Sequence, residues 1–367
     1  MRIGILTFHR ALNYGAVLQC YALLRYLLDQ GHDVKIVDYR PDGIEKYRQF
    51  FPNDMVWKRE GLLMKFKGFL VSILLLQKKV KARRAFDAFL DKYFPLTKRI
   101  TESKTAYLSE FDCIIMGSDQ IWSPTICNGF DSIYWGCFSH QGIKLITYAA
   151  SIGGHNSITE DMWQEIGQML KNFAAISVRE QKLFTQIKKR FSIPLSLVVD
   201  PTLLSEKNIF DDLALKPHVS DYVLLFNLDT DSKVEDFALS IGEKLQRKVI
   251  SITALQEFSH AKTGIEERFS VTPQAFLGYF KYASFIVTTS FHGTVFSVIF
   301  KKDFYSLKWE KSDRVQNFLE PLGLSSRLIE KNAVIEDVIS VDYKGVDDKM
   351  LQNRQLSEDF LDKALIL

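Results

Sequence analysis

At 367 residues and 42.3 kDa the chain exceeds a single typical domain, so two domains or one large α/β unit are expected. Hydrophobic residues make up 47% and charged residues 25%, which excludes a disordered or fibrous chain. Forty-seven Lys and Arg against 44 Asp and Glu leave a net charge of +3, too balanced for a surface built to grip nucleic acid.

Apolar β-rich runs alternate with helical patterns, the signature of βαβ units around parallel sheets. Arg2–Phe8 reads as a first strand rather than a secretion signal, because no long apolar core or small-residue cleavage site follows. Reduced thiols and a cytoplasmic setting are the expectation for Cys20, Cys113, Cys127 and Cys137, which show no CxxC pair. A helix over Ala16–Asp29 and strands at Val34–Tyr39, Phe111–Met116, Leu145–Ala150, Ala174–Val178 and Leu195–Val199 complete a first Rossmann-like domain, residues 1–213.

A basic apolar helical insertion at about 55–95 interrupts that domain. Lysines and arginines surround Leu62–Leu76, and Glu60 is the single acid between 58 and 84. The apolar run is too short to span a bilayer. It reads either as a basic amphipathic helix lying on an anionic membrane surface or as an ordinary insertion with solvated lysines.

The composition shifts at Leu213–Asp221, which reads as a linker. Tyr222–Leu228, Lys248–Thr253, Phe285–Thr289 and Asp303–Leu307 then read as strands of a second Rossmann-like domain, 218–345. Thr272 caps a helix that starts with Pro273 and runs toward Tyr282. A helix over 346–367 is expected to pack back on the first domain. The fold class is therefore α/β, with two Rossmann-like domains facing a cleft.

Ligands of open α/β sheets sit beyond the carboxyl ends of the strands, and the polar clusters fall there. After the first strand, Asn13 is placed to cap a helix and Gly15 to admit a close approach. After Phe111–Met116, Ser118, Asp119 and Gln120 offer either helix caps or ligand contacts. Arg179, at another strand end, reads as a surface ion pair or as a fork for a carboxylate or phosphate. The sharpest cluster is Ser290-Phe291-His292-Gly293-Thr294, where a strand turns into a helix. Such a corner aims free N–H groups at one point, a natural anion site, and imidazole exchanges protons around neutrality. Asp229-Thr230-Asp231 has the DxD form of many glycosyltransferases but also lies where a helix needs a cap. No HExxH, HxxxH, GxGxxG or GxxxxGK[ST] occurs, so no metal site and no standard dinucleotide or P-loop site is expected.

Four blocks together resemble the polysaccharide pyruvyl transferase family: TFHRALNYGAVLQCYA (7–22), GSDQIWSP (117–124), ISVRE (176–180) with VVDPTLL (198–204), and YASFIVTTSFHGTVFSVIF (282–300). The resemblance implies a GT-B-like pair of domains. It also implies phosphoenolpyruvate as co-substrate, with no other cofactor, and a pyruvate ketal formed on a sugar. The expected acceptor is a sugar of a surface polysaccharide or of its polyprenyl-diphosphate-linked precursor. The basic apolar stretch at 58–84 fits such a lipid-linked acceptor, with peripheral contact at the inner face of the cytoplasmic membrane as the expectation.

Family members place a catalytic histidine where His292 stands and a donor arginine where Arg179 stands. Asn13, Gly15, Ser118, Asp119, Gln120, Ser290, Gly293 and Thr294 are then expected to bind substrate. Many members carry an arginine two positions before the histidine, and this chain has Ser290 there. Lys301, Lys302 and Arg314 are the candidates to replace its charge. The competing readings are a GT-B glycosyltransferase using a nucleotide sugar and a non-catalytic glycan-binding protein of the same fold.

Overall fold

The computed structural model describes residues 1–48, 73, 76–101, 105–138, 142–153, 158–205, 209–229, 231–253, 262–308 and 313–366. Two parallel sheets organise it. The first joins β1 (Arg2–Leu6), β2 (Asp33–Ile36), β3 (Cys113–Gly117) and β4 (Lys144–Tyr148) in the order β2-β1-β3-β4. Bridges from Ile146 to Ala175 and from Ala150 to Val178 extend it toward the short pair β5 (Ser177–Val178) and β6 (Ser196–Leu197).

The second sheet joins β7 (Tyr222–Phe226), β8 (Lys248–Thr253), β9 (Ile265–Phe269), β10 (Phe285–Thr288), β11 (Phe304–Leu307) and β12 (Leu328–Ile329). Its order is β12-β11-β10-β7-β8-β9, the doubly wound Rossmann arrangement. The molecule is thus a pair of Rossmann-like lobes facing a cleft.

Burial explains the strand patterns. Every residue of β3, β7 and β10 is buried, as expected for parallel strands covered on both faces. β9, with sequence IEERF, is an edge strand of exposed and half-buried residues. The sequence pattern does not predict β9 or β12.

Helix α1 (Tyr14–Asp29) starts two residues before the expected Ala16, because the Asn13 side chain accepts a hydrogen bond from the Ala16 amide and caps it. Helix α2 (Leu76–Tyr93) buries Ala82, Phe86, Phe89 and Leu90. It is the described end of the basic apolar stretch and packs as an ordinary helix, Phe86 lying 5.0 Å from Tyr14. Residues 49–72, 74 and 75, where most of the expected membrane-surface helix falls, lie outside the described residues. Among the described residues no helix is long and apolar enough to cross a membrane.

Helix α3 (Lys233–Leu245) follows β7, and α4 (Pro273–Tyr282) opens on the Thr272 cap with proline at its start. Helix α5 (Phe291–Ile299) follows β10, α6 (Arg314–Leu322) follows β11, and α7 (Val346–Ile366) ends the chain. Helix α7 lies on the first lobe. Ser357 Oγ accepts from the Val199 amide at 3.0 Å, and Lys144 Nζ donates to the Ala364 and Leu365 carbonyls.

The lobes touch through α1 and α4. The Tyr14 ring stacks on Phe276 at 4.2 Å and its hydroxyl donates to the Val271 carbonyl. One apolar core runs through this contact, including Ile5, Tyr14, Phe226, Phe276 and Phe296. Cys20 and Cys113 are buried free thiols, and burial pushes the Cys113 thiol up to about 12. They act as small apolar core residues.

Candidate active site

Strand order reverses between β1 and β3 in the first sheet and between β7 and β10 in the second. These two switch points face one another, and a cavity of about 650 Å³ lies between them. Asn13, Asp119 and Gln120 line it from the first lobe; Thr289, Ser290, Phe291, His292 and Arg314 line it from the second.

The β10–α5 corner is built by its hydroxyls. Thr288 Oγ1 accepts from the Ser290 amide and donates to the Phe226 carbonyl, which holds the turn against β7. Ser290 Oγ accepts from the Gly293 amide, and its carbonyl accepts from the Thr294 amide. This cap leaves the first-turn N–H groups of Phe291 and His292 outside it, at the positive end of the helix. His292 stands in that turn with its side chain 11% exposed. One ring edge rests on Gly15, where an added Cβ would lie 2.1 Å from Nδ1. The other nitrogen, Nε2, lies 3.5 Å from Asp200 Oδ2 and has no hydrogen-bond partner among the described residues.

Asp200 joins the two lobes chemically. Oδ1 accepts from the Thr202 amide and hydroxyl, capping the turn at Pro201–Leu203. Oδ2 faces His292, accepts from Arg179 Nη1 at 2.6 Å, and takes a long 3.5 Å contact from Ser118 Oγ. Burial pushes this carboxyl up, but the charges of His292 and Arg179 outweigh it and hold Asp200 well below the usual carboxylate range.

Arg179 is 4% exposed at its side chain, and its remaining fork nitrogens lie 3.4 Å from Glu180 Oε1. Burial disfavours its charge, but Glu180 and Asp200 more than compensate and keep the guanidinium protonated. It sits 5.0 Å over the Phe291 ring, on which Arg314 also sits at 5.8 Å.

The expected site residues therefore divide. Asn13, Asp119, Gln120, Ser290 and His292 come together on the cavity. Asp119 adopts a positive φ of 65° in the loop after β3, with its carboxylate accepting from the Gln120 amide. Gly15 presses on the His292 ring rather than lining the cavity. Ser118 is fully buried one layer behind, against Asp200. Gly293 does not open a path for ligand, since its Cβ direction meets Thr288 Oγ1 at 2.3 Å and Phe226. Thr294 is fully buried and bonds to the Ser290 carbonyl and Ser306 Oγ, tying α5 to β11. Arg179 faces a smaller, more apolar cavity of about 290 Å³ on the other side of Phe291.

Of the three replacement cations, Lys301 pairs with Asp347 at 2.6 Å. Lys301 and Lys302 lie off the cavity wall, and Arg314 lies on it. Asp200 was not among the expected site residues. Its local role as a cap before Pro201 masks the second oxygen, and the signal for it was its place in the VVDPTLL block at a strand end. The DxD carboxylates are committed locally: Asp229 and Asp231 both pair with Lys331, and Asp231 accepts from the Lys233 amide. Among the described residues no group of His, Cys, Asp and Glu is arranged to hold a metal.

The UDP-N-acetylglucosamine 2-epimerase of Rickettsia bellii aligns over 100% of this chain and 95% of its own, at 14% identity and a TM-score of 0.48. The glycosyltransferase SnogD of Streptomyces nogalater aligns over 100% and 98%, at 13% identity and a TM-score of 0.43. The Methanocaldococcus jannaschii UDP-GlcNAc 2-epimerase aligns over 97% and 92%, at 13% and 0.46. No curated protein matches. The family described as polysaccharide pyruvyl transferase matches residues 13–311. That match begins at the cap of α1, runs past β11 and takes in well over half of the sequence, and on it the chain belongs to the polysaccharide pyruvyl transferase family.

Proposed function

We propose that the protein transfers the three-carbon unit of phosphoenolpyruvate onto two hydroxyls of one sugar, forming a cyclic pyruvate ketal and releasing phosphate. The acceptor is a sugar of a surface polysaccharide or of its polyprenyl-diphosphate-linked precursor. The observation that carries the reading is His292: its ring stands at the start of α5 on the cleft, 3.5 Å from the carboxylate of Asp200.

The chemistry asks for that arrangement. His292, as imidazolium, gives its proton to the methylene carbon of the donor, and C2 becomes cationic. One sugar hydroxyl adds to C2 and returns its proton to the imidazole. Phosphate then leaves C2 with the second hydroxyl's proton as that oxygen closes the ketal. Asp200 stabilises the positive ring before the first transfer and orients it. The helix start supplies N–H donors for an anionic donor, while Asn13, Asp119 and Gln120 offer hydrogen bonds for sugar hydroxyls. Lys331 occupies the DxD carboxylates, which favours this reading over a metal-dependent nucleotide-sugar transferase.

Incubation with phosphoenolpyruvate and a panel of galactose- and mannose-type acceptors tests it. Phosphate release matched by acceptor mass gain is the expected result. Transfer from a nucleoside-diphosphate sugar, or sugar binding with no phosphate release, rejects the proposal.

A further inference from the structure

We propose that Arg314 replaces the arginine absent at position 290 and binds the phosphate of the donor at the first turn of α5. The inference rests on the donor reading above and adds the residue that anchors it. The charge has moved from one helix to its neighbour.

Three observations carry it. Arg179, the strand-end guanidinium, is divided between Asp200 and Glu180 and lies behind Phe291, outside the larger cavity. Arg314 is the first residue of α6, and it lines the cavity with Ser290, Phe291 and His292. It also reaches the smaller cavity, so it stands at the partition between the two. Ser290, in turn, is committed as the cap of α5. Serine caps well and arginine does not, so position 290 serves the helix while the cation arrives from α6.

Electrostatics agrees with this placement. Burial and the like charge of Arg179 push the Arg314 guanidinium down, and Glu180, Asp119 and Asp200 offset them only in part. A phosphate dianion entering beside Phe291 relieves that repulsion, and the planar fork matches two of its oxygens. Phe291 and His292, whose N–H groups the Ser290 cap leaves outside, line the same cavity as Arg314, and on this proposal their N–H groups share the donor's phosphate with it. Arg179 then acts as a positioning residue, through Asp200 on His292.

The test compares wild type, Arg314→Gln, Arg314→Lys and, as control, Lys301→Ala, which alters a surface pair with Asp347. Calorimetry with inorganic phosphate and with phosphoenolpyruvate is read beside steady-state kinetics and ligand-free melting temperatures. Loss of a charge-assisted bidentate contact should weaken both ligands by about tenfold or more in Arg314→Gln. KM for the donor should rise more than kcat falls, Arg314→Lys should recover part of the affinity, and Lys301→Ala should match wild type. Wild-type turnover with phosphoenolpyruvate, together with Arg314→Gln affinities within about twofold of wild type, overturns the Arg314 assignment and leaves the transferase standing. A wild type with no affinity for phosphoenolpyruvate overturns both.

Discussion

Gly15 and His292 belong to different lobes, and a methyl group added at Gly15 would sit 2.1 Å from the histidine's Nδ1. The first turn of α1 therefore forms one wall of the imidazole's seat. Gly15→Ala should displace the ring or part the lobes, because 2.1 Å is far inside van der Waals contact. Misplacement on the order of an ångström can cost about 10²-fold in rate. Steady-state assays should show kcat falling by that order, with the melting temperature lowered by the overpacking. Full activity in Gly15→Ala would show that the ring has another resting place.

His292→Ala removes the proposed acid. A positioned proton donor is worth about 10²–10⁴ in rate, so phosphate release should fall by that factor while circular dichroism stays native. Retention of more than about a tenth of wild-type turnover would defeat the assignment.

Asp200→Asn tests the carboxylate that holds Arg179 and faces His292. Removing one partner of a buried ion pair costs about 3–5 kcal/mol, and urea unfolding at neutral pH should show a loss of that order. The pH dependence has a definite sign. The folded-state pKa lies below the ordinary value of 3.8, so the carboxylate contributes its stability above that value and loses it as the pH falls below it. The gap between wild type and variant should be full at pH 7 and shrink as the solution is acidified through about pH 4. A gap that stays constant across this range contradicts the pairing.

Tyr14 makes the inter-lobe contact through both its ring and its hydroxyl. Tyr14→Phe keeps the stack on Phe276 and loses the bond to the Val271 carbonyl, a change of about 1 kcal/mol. Tyr14→Ala also empties a buried aromatic site and should cost about 3–5 kcal/mol. Denaturant titrations of both variants check the order.

Much of this was legible in the sequence, for physical reasons. Strands such as YVLLF and FIVT announce themselves because burial on both faces demands unbroken apolar runs. The Thr272-Pro273 start of α4 is a local rule, as is the Asn13 cap. β9 escaped notice because an edge strand tolerates Glu266, Glu267 and Arg268, and β12 because two residues make no pattern. At the site, Asn13, Asp119, Gln120, Ser290 and His292 follow from the rule that ligands meet strand ends. Asp200 was hidden because one of its oxygens satisfies a local turn. Arg314 stood among three candidates with no spacing to choose between them, since it is the packing of the folded chain that puts Arg314 on the cavity wall and leaves Lys301 and Lys302 off it. Gly293 shows the converse: a glycine beside a histidine looks like room for ligand, yet here the missing side chain makes room for Thr288.

The path of α7 has a mechanical consequence. The backbone crosses from one sheet to the other between β6 and β7, and returns between β12 and α7, whose far end is fastened to Lys144. Paired crossings of this kind, together with the Tyr14 contact to Phe276 and Val271, tie the two lobes at more than one place. Registration of His292 with Gly15 and Asp200 therefore rests on several ties between the lobes rather than on one linker.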